Sequence, residues 1–203
     1  TEISSITTTT ATTGGNITND GGAPVSARGV CWSTTPGPTT DGSKTSDGTG
    51  TGVFTSNLTG LTPNTTYFIR AYATSVAGTG YGDEISFKTI AASPPSLTTS
   101  AITDITQTTA TGGGNVTNDG GVPVTMKGVC WNSSGSPTTA DNKTEEGERP
   151  GSFASSLTGL TGNTTYYVRA YATNSAGTSY GDEKSFKTGA VLPTLTTTAI
   201  TSV

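Results

Sequence analysis

The sequence contains no histidine. That absence removes a Ser-His-Asp triad, a Cys-His nucleophile and every His-ligated zinc site. Charge is also scarce: 12% of residues are charged, 10 Lys and Arg against 14 Asp and Glu, for a net charge of −4. So few basic side chains, spread along the chain, cannot form the footprint a nucleic acid requires, and no nucleic-acid partner is expected. No apolar run approaches the ~20 residues of a membrane span, so no membrane insertion is expected. The chain opens Thr1-Glu2-Ile3, without an initiator Met or an apolar signal region, and reads as an excised or processed piece of something longer. Large aliphatics are few: Leu, Ile, Val and Phe total 32 of 203 residues. Disorder does not follow, because the high net charge that accompanies it is missing. Cys31 and Cys130 stand at equivalent positions of a repeat, so a bridge within one repeat is excluded and both are expected as small buried thiols.

What is abundant is hydroxyl and glycine, with 47 Thr, 22 Ser and 28 Gly. The sequence also repeats itself at a fixed offset of 99: Gly29-Val30-Cys31-Trp32 matches Gly128-Val129-Cys130-Trp131, and Tyr81-Gly82-Asp83-Glu84 matches Tyr180-Gly181-Asp182-Glu183. From Ile3 to Thr89, 55 of 87 positions are identical without a gap, which only duplication explains. A third copy begins near the end, where Leu195-Thr196-Thr197-Thr198-Ala199-Ile200 repeats Leu97-Thr98-Thr99-Ser100-Ala101-Ile102. The expected division is repeat 1 over 1–90, repeat 2 over 91–189 with a linker at 90–96, and the first strand of a third repeat over 190–203. Pro94-Pro95 should stiffen that linker and favour a nearly linear pair with a small interface.

Each repeat reads as all-β. Segments rich in Thr, Val, Ile, Tyr and Phe alternate with turn signals every 8–12 residues, and no window keeps a helical period. Threonine is β-branched and suits a pleated, half-exposed strand. Strands are expected near 3–7, 9–18, 24–34, 52–58, 66–76 and 84–89, with Asn19-Asp20-Gly21-Gly22 as a tight hairpin turn. About seven strands per repeat point to two tandem antiparallel β-sandwiches.

The segment Leu61-Thr62-Pro63-Asn64-Thr65-Thr66-Tyr67 has the form L-x-P-x-T-x-Y, and Leu160-Thr161-Gly162-Asn163-Thr164-Thr165-Tyr166 repeats it with Gly for Pro. It resembles the E–F corner of fibronectin type III domains, and the run from Tyr67 to Gly80 resembles their F strand and F–G turn. The resemblance implies a seven-stranded fibronectin III/Ig-like sandwich with Tyr67 and Tyr166 buried at the corner. Two features depart from that family. The strand-B Trp is missing, and Trp32 and Trp131 stand on strand C instead. The repeats resemble the Thr- and Gly-rich fibronectin-III-like modules of large secreted bacterial proteins.

Facing follows from period two. On strand F, Tyr67, Ile69, Ala71 and Ala73 share one face, and Phe68, Arg70 and Tyr72 share the other. A bulge at Gly29 is expected to bury Trp32 beside Val25 and Ala27. The outward strip Phe68, Arg70, Tyr72, with Tyr167, Arg169 and Tyr171 in the second repeat, is the candidate partner-binding face for a glycan or another surface protein. Cross-strand pairing within the sheet is the competing account of the same residues.

Catalysis and cofactors find little support. Asp20, Asp119, Asp83-Glu84 and Asp182-Glu183 are scattered over turns and strand starts, which gives no EF-hand spacing and no carboxylate pair of the glycosidase kind. No cofactor is expected, a weak calcium site being the one alternative kept. Gly48-Thr49-Gly50-Thr51-Gly52 and Gly112-Gly113-Gly114 precede no helix that could hold a phosphate. Sequons start at Asn16, Asn57, Asn64, Asn115, Asn132, Asn142 and Asn163, but two are duplication copies and the excess over composition is small. Runs such as Thr7-Thr8-Thr9-Thr10 do not make an ice-binding lattice on a twisted sheet.

The expected function is therefore non-enzymatic. It is a structural spacer, stalk or adhesion repeat of a secreted or cell-surface protein, with a carbohydrate- or protein-binding module as the alternative. The expected partners are neighbouring repeats, and head-to-tail self-assembly through 195–203 is a further expectation.

Overall fold

The computed structural model describes residues 2–196. The chain divides into two compact units, Thr1–Ala92 and Ser93–Val203. Unit 1 contains β1 (Ala11–Ile17), β2 (Ala27–Ser33), β3 (Ser43–Lys44), β4 (Gly52–Leu58), β5 (Thr66–Ser75), β6 (Gly78–Tyr81) and β7 (Ile85–Lys88). Unit 2 contains β8 (Ser96–Thr99), β9 (Ala110–Asn118), β10 (Met126–Asn132), β11 (Asn142–Lys143), β12 (Gly151–Leu157), β13 (Thr165–Asn174), β14 (Gly177–Tyr180) and β15 (Lys184–Lys187). Each unit is an antiparallel sandwich. In unit 1, β1 pairs β4 opposite a sheet ordered β3-β2-β5-β6, with β7 also on β5. In unit 2, the order β12-β9-β8 faces β11-β10-β13-β14, with β15 on β13. This division of strands, with a buried Tyr at the start of β5 and of β13, is a fibronectin III-like sandwich.

Each unit fills its own core. In unit 1, Val30, Phe54, Leu58, Leu61, Tyr67, Ile69 and Phe87 are buried together, with Trp32 packed at the margin. In unit 2, Val129, Trp131, Leu157, Leu160, Tyr166, Val168 and Phe186 form the matching cluster. The expected corner geometry is visible in atoms. The Thr62 N–H donates to the Tyr67 hydroxyl at 2.9 Å and the Thr161 N–H to that of Tyr166 at 3.0 Å. Both rings stack on a neighbour, Tyr67 on Phe87 and Tyr166 on Phe186, with centroids 5.9 Å apart. Tyr67→Phe is expected to lower the stability of unit 1 by about 1–3 kcal/mol, since it strands the Thr62 N–H. Chemical denaturation checks this, and an unchanged midpoint would contradict it.

Several local expectations are corrected. The segment 3–7 is not a strand but a single bridge, Ser4 to Thr12, because Ser5 adopts φ 50. There the Thr7 hydroxyl accepts the N–H groups of Thr9 and Thr10 and closes a turn. The expected strand over 84–89 is β7, and two short strands that the sequence did not predict, β3 and β6, add to the same sheet. Asn19–Gly22 is a turn but not a hairpin: Asn19 and Asp20 side chains accept the N–H groups of Gly21 and Gly22, yet β1 and β2 lie in different sheets. Side chains fix the turn, and the core decides which sheet the next strand joins. The linker is also shorter than expected. The Ser93 N–H donates to Gly120 O and the Ser93 carbonyl accepts Asn174 Nδ2, so unit 2 already holds Ser93. Of the expected third-repeat strand over 190–203, residues 190–196 contain no strand and the rest lies outside the described residues.

No bulge interrupts β2 at Gly29, where the register with β5 runs unbroken from Ala27–Thr74 to Ser33–Phe68. Trp32 and Arg28 therefore share the inward face. Arg28 satisfies its charge at the sheet end: it lies 5.4 Å over the Phe54 ring and its Nη1 donates to Thr51 O at 2.9 Å. Lys127 repeats this 5.2 Å over Phe153. A long stem carries the charge past the core, and strict alternation of residue types does not anticipate it.

Candidate functional site

The strand-F face is only partly the surface expected of it. Tyr72 is 5% exposed and Tyr171 0%. The loop between β2 and β4 folds over the outer side of the sheet. The Tyr72 hydroxyl donates to Thr45 O at 2.7 Å and the Tyr171 hydroxyl to Thr144 O at 2.6 Å. The glycines opposite them, Gly29 and Gly128, leave room for this loop. Tyr72 and Tyr171 are thus corrected from exposed contacts to anchors of a loop. Phe68, Arg70, Tyr167 and Arg169 remain half-exposed. The guanidinium of Arg70 lies 4.6 Å over the Tyr81 ring and its Nε donates to Gly82 O, and Arg169 does the same with Tyr180 at 4.7 Å and Gly181 O. Tyr81 and Tyr180, which the sequence reading left aside, belong to this group through the cross-strand pairs Tyr72–Tyr81 and Tyr171–Tyr180. Each unit therefore presents a half-buried aromatic-cation ladder.

The same covering loop buries the cysteines. Both are free and 0% exposed, and the thiol of Cys31 donates weakly to Pro38 O and Arg70 O. Burial pushes the Cys130 thiol up to about 11 and the Tyr171 hydroxyl up to about 12, and it raises Cys31 and Tyr72 in the same direction. A raised folded-state value stabilises the neutral form. The stability it contributes is complete below the ordinary values of 9.0 and 10.0 and is lost as pH climbs through about 11 and about 12. Unit 2 is therefore expected to lose stability progressively above pH 9, read as a falling denaturation midpoint. A midpoint that rises with pH in that window would contradict it.

The acidic side chains act on backbone. Glu84 accepts the Gly37 N–H at 2.6 Å and Glu183 the Ser136 N–H at 2.5 Å. Asp141 accepts the Thr138 N–H at 2.8 Å, and with the Asn132 side chain this holds its carboxyl below the usual range. Among the described residues no group of three or more His, Cys, Asp or Glu converges as metal ligands. No helix among them is long and apolar enough to cross a membrane.

A second feature was not picked out by residue chemistry. Beyond the Ser4–Thr12 bridge, one edge of β1 has no strand partner among the described residues, and the adjoining space between the two sheets is an open cleft of about 460 Å³ lined by Thr13, Gly15, Asn16, Ala71 and Gly82. The cleft is continued by two others along Ile17, Asn19 and Ala73 to Val25. The Thr13 hydroxyl is buried there without a hydrogen-bond partner.

No protein-family model matches the chain, and no curated protein matches it significantly. Among solved structures it is similar to a two-domain fibronectin type-III segment of chicken tenascin, at 18% identity over 92% of this chain and 97% of that one, with a TM-score of 0.42. The FN1-FN3 domains of chicken CNTN1 align at 15% identity over 93% of this chain and 65% of theirs, with a TM-score of 0.38. The sensor domain of the anti-sigma factor RsgI4 of Pseudobacteroides cellulosolvens aligns at 18% over 49% of this chain and 98% of its own, with a TM-score of 0.37. At these levels the likenesses assign no function.

Proposed function

We propose that this chain is a non-enzymatic spacer or adhesion segment of a secreted or cell-surface protein. One observation carries the reading: the side chains the two units share are those that hold the sandwich and its loops. Tyr67 and Tyr166 close the corner, Tyr72 and Tyr171 tie down the covering loop, and Arg70 and Arg169 lock against Tyr81 and Tyr180. Duplication has kept a scaffold. Single-molecule pulling of the chain tests it. Two separate unfolding events are expected, each releasing about 25–30 nm from a unit of this length, and smooth extension without events would sink the reading. Labelling of intact source cells by an antibody to the chain tests the location.

The half-exposed Phe68–Arg70 and Tyr167–Arg169 pairs favour one second reading, a module that binds carbohydrate or a protein surface. Glycan-array binding abolished by Phe68→Ala with Tyr167→Ala would support it. Because Tyr72 is buried, its replacement would report on folding rather than on contact.

A further inference from the structure

Both units leave one long sheet edge open. In unit 1 it is the outer side of β4, and in unit 2 the outer side of β12; among the described residues β4 pairs only with β1 and β12 only with β9. β12 keeps its edge open although β8 already lies on the far side of β9, so the feature belongs to the fold of the repeat. The bridge hydrogen bonds show which groups face out. Thr12 exchanges both backbone bonds with Ser4, at 2.8 and 2.9 Å, so its N–H and C=O point away from β4. Alternation turns Ala11, Thr13, Gly15 and Ile17 toward β4, where Leu58, Ser56, Phe54 and Gly52 meet them. The N–H and C=O of Val53, Thr55 and Asn57 are left facing outward, and no turn or loop backbone among the described residues bonds to them. Thr111, bridged to Thr103 in the same way, leaves Ser152, Ala154 and Ser156 outward on β12.

The outer strands of the larger sheets are guarded, and these two are not. Apart from Lys127, every lysine stands on one of those outer strands: Lys44 on β3, Lys88 on β7, Lys143 on β11, and Lys184 and Lys187 on β15. The remaining outer strands, β6 and β14, are only 4 residues long. Lysine and short length are both devices that block edge-to-edge pairing. β4 has neither. It runs 7 residues, Gly52–Leu58, without a charge or a proline, and its register on β1 is unbroken by any bulge. Val53, 70% exposed, adds an apolar side chain to that edge, where β12 has Ser152.

We propose that the β4 edge pairs with the β4 edge of a second copy, antiparallel, about a two-fold axis at Thr55. Thr55 then lies opposite the partner's Thr55, and Val53 opposite the partner's Asn57. Each of these pairs exchanges two N–H···O bonds, because the groups that face out on one copy face out on the other. This match makes the occupant a second copy: the outward groups fall into register with themselves, and no charge on either strand opposes the contact. Val53 also gains the methyl of the partner's Thr55 as a diagonal neighbour. β1 and β4 of both copies form one continuous sheet. The contact is isologous and closes at a dimer. β12, whose outward side chains are Ser152, Ala154 and Ser156, brings no large apolar group and is the built-in comparison. The pairing goes beyond the spacer reading by giving the scaffold a lateral partner, and the pulling experiment on single chains is unaffected if it fails.

The test is sedimentation equilibrium of the 203-residue chain across a concentration series, with amide exchange read at both ends of the series. A monomer–dimer equilibrium is expected, with the amides of Val53, Thr55 and Asn57 slowed at the high end and those of Ser152, Ala154 and Ser156 unchanged. Thr55→Lys is expected to remove the dimer over the same concentrations, because the two-fold axis sets the two ammonium groups opposite each other. The Thr55 side chain is exposed, so this variant should keep the parent denaturation midpoint. Ala154→Lys makes the equivalent change on β12 and should leave the dimer intact. A monomer at every concentration overturns the proposal. So does a dimer that survives Thr55→Lys, one that is lost with Ala154→Lys, or one in which the three β4 amides stay fast.

Discussion

Leu157→Ala is expected to unfold unit 2 well before unit 1. Leu157 is 0% exposed at the centre of a cluster with Val129, Trp131, Leu160, Tyr166 and Val168. Its backbone is fixed opposite Ala110, so neither strand can move in to fill the space. Removing the isobutyl group loses transfer energy and leaves a cavity, together about 3–4 kcal/mol. For a domain of this size that corresponds to roughly 12–30 °C in Tm. The core of unit 1 is a separate cluster around Leu58 and shares none of these residues. Calorimetry should therefore resolve two transitions, with only the lower one displaced from the parent profile. A single transition that shifts as a whole would show that the units melt as one body.

Gly128→Val should be nearly as damaging, by a different route. A β-carbon there would lie 2.1 Å from the Thr144 carbonyl oxygen and 3.0 Å from the Tyr171 ring. The oxygen is backbone and the ring is fully buried, so neither can step aside. The covering loop must lift. It would break the Tyr171 hydroxyl bond to Thr144 O and the pair of bonds that joins Thr144 to Val129. Overpacking and the lost bonds together cost about 3–5 kcal/mol. The same movement uncovers Cys130, so thiol labelling of the folded protein should speed up along with the loss of stability. A stable variant whose Cys130 stays unlabelled would contradict this account of the loop.

The all-β class, the duplication and the corner were legible because each rests on local chemistry. Thr, Val and Tyr favour strands, Asn-Asp-Gly-Gly makes a turn, and a Tyr six residues after Leu61 places its hydroxyl near a backbone N–H. The errors about which side chains are exposed have one common source. Period two gives the faces of a strand but not what covers them. Tyr72 was placed outside correctly with respect to the sheet, yet Thr45 and Pro38 lie over that side. Arg28 on the inward face was unreadable because its destination, the carbonyls of Gly50 and Thr51, belongs to a distant loop. Of the candidate strip, Arg70 and Arg169 were identifiable from sequence, but their stacking partners Tyr81 and Tyr180 required the β5–β6 and β13–β14 registers.

The near-identity of the units has a consequence for how the chain folds. The register of β1 on β4, from Ala11–Leu58 to Ile17–Gly52, recurs position for position in β9 on β12. A newly collapsed chain can therefore pair β1 with β12 and lose no ladder bond, and only the longer loop opposes the exchange, weakly and logarithmically. Refolding of the tandem is expected to pass through a swapped population that a single unit cannot form. Vectorial synthesis, which completes β4 long before β12 leaves the ribosome, would suppress it.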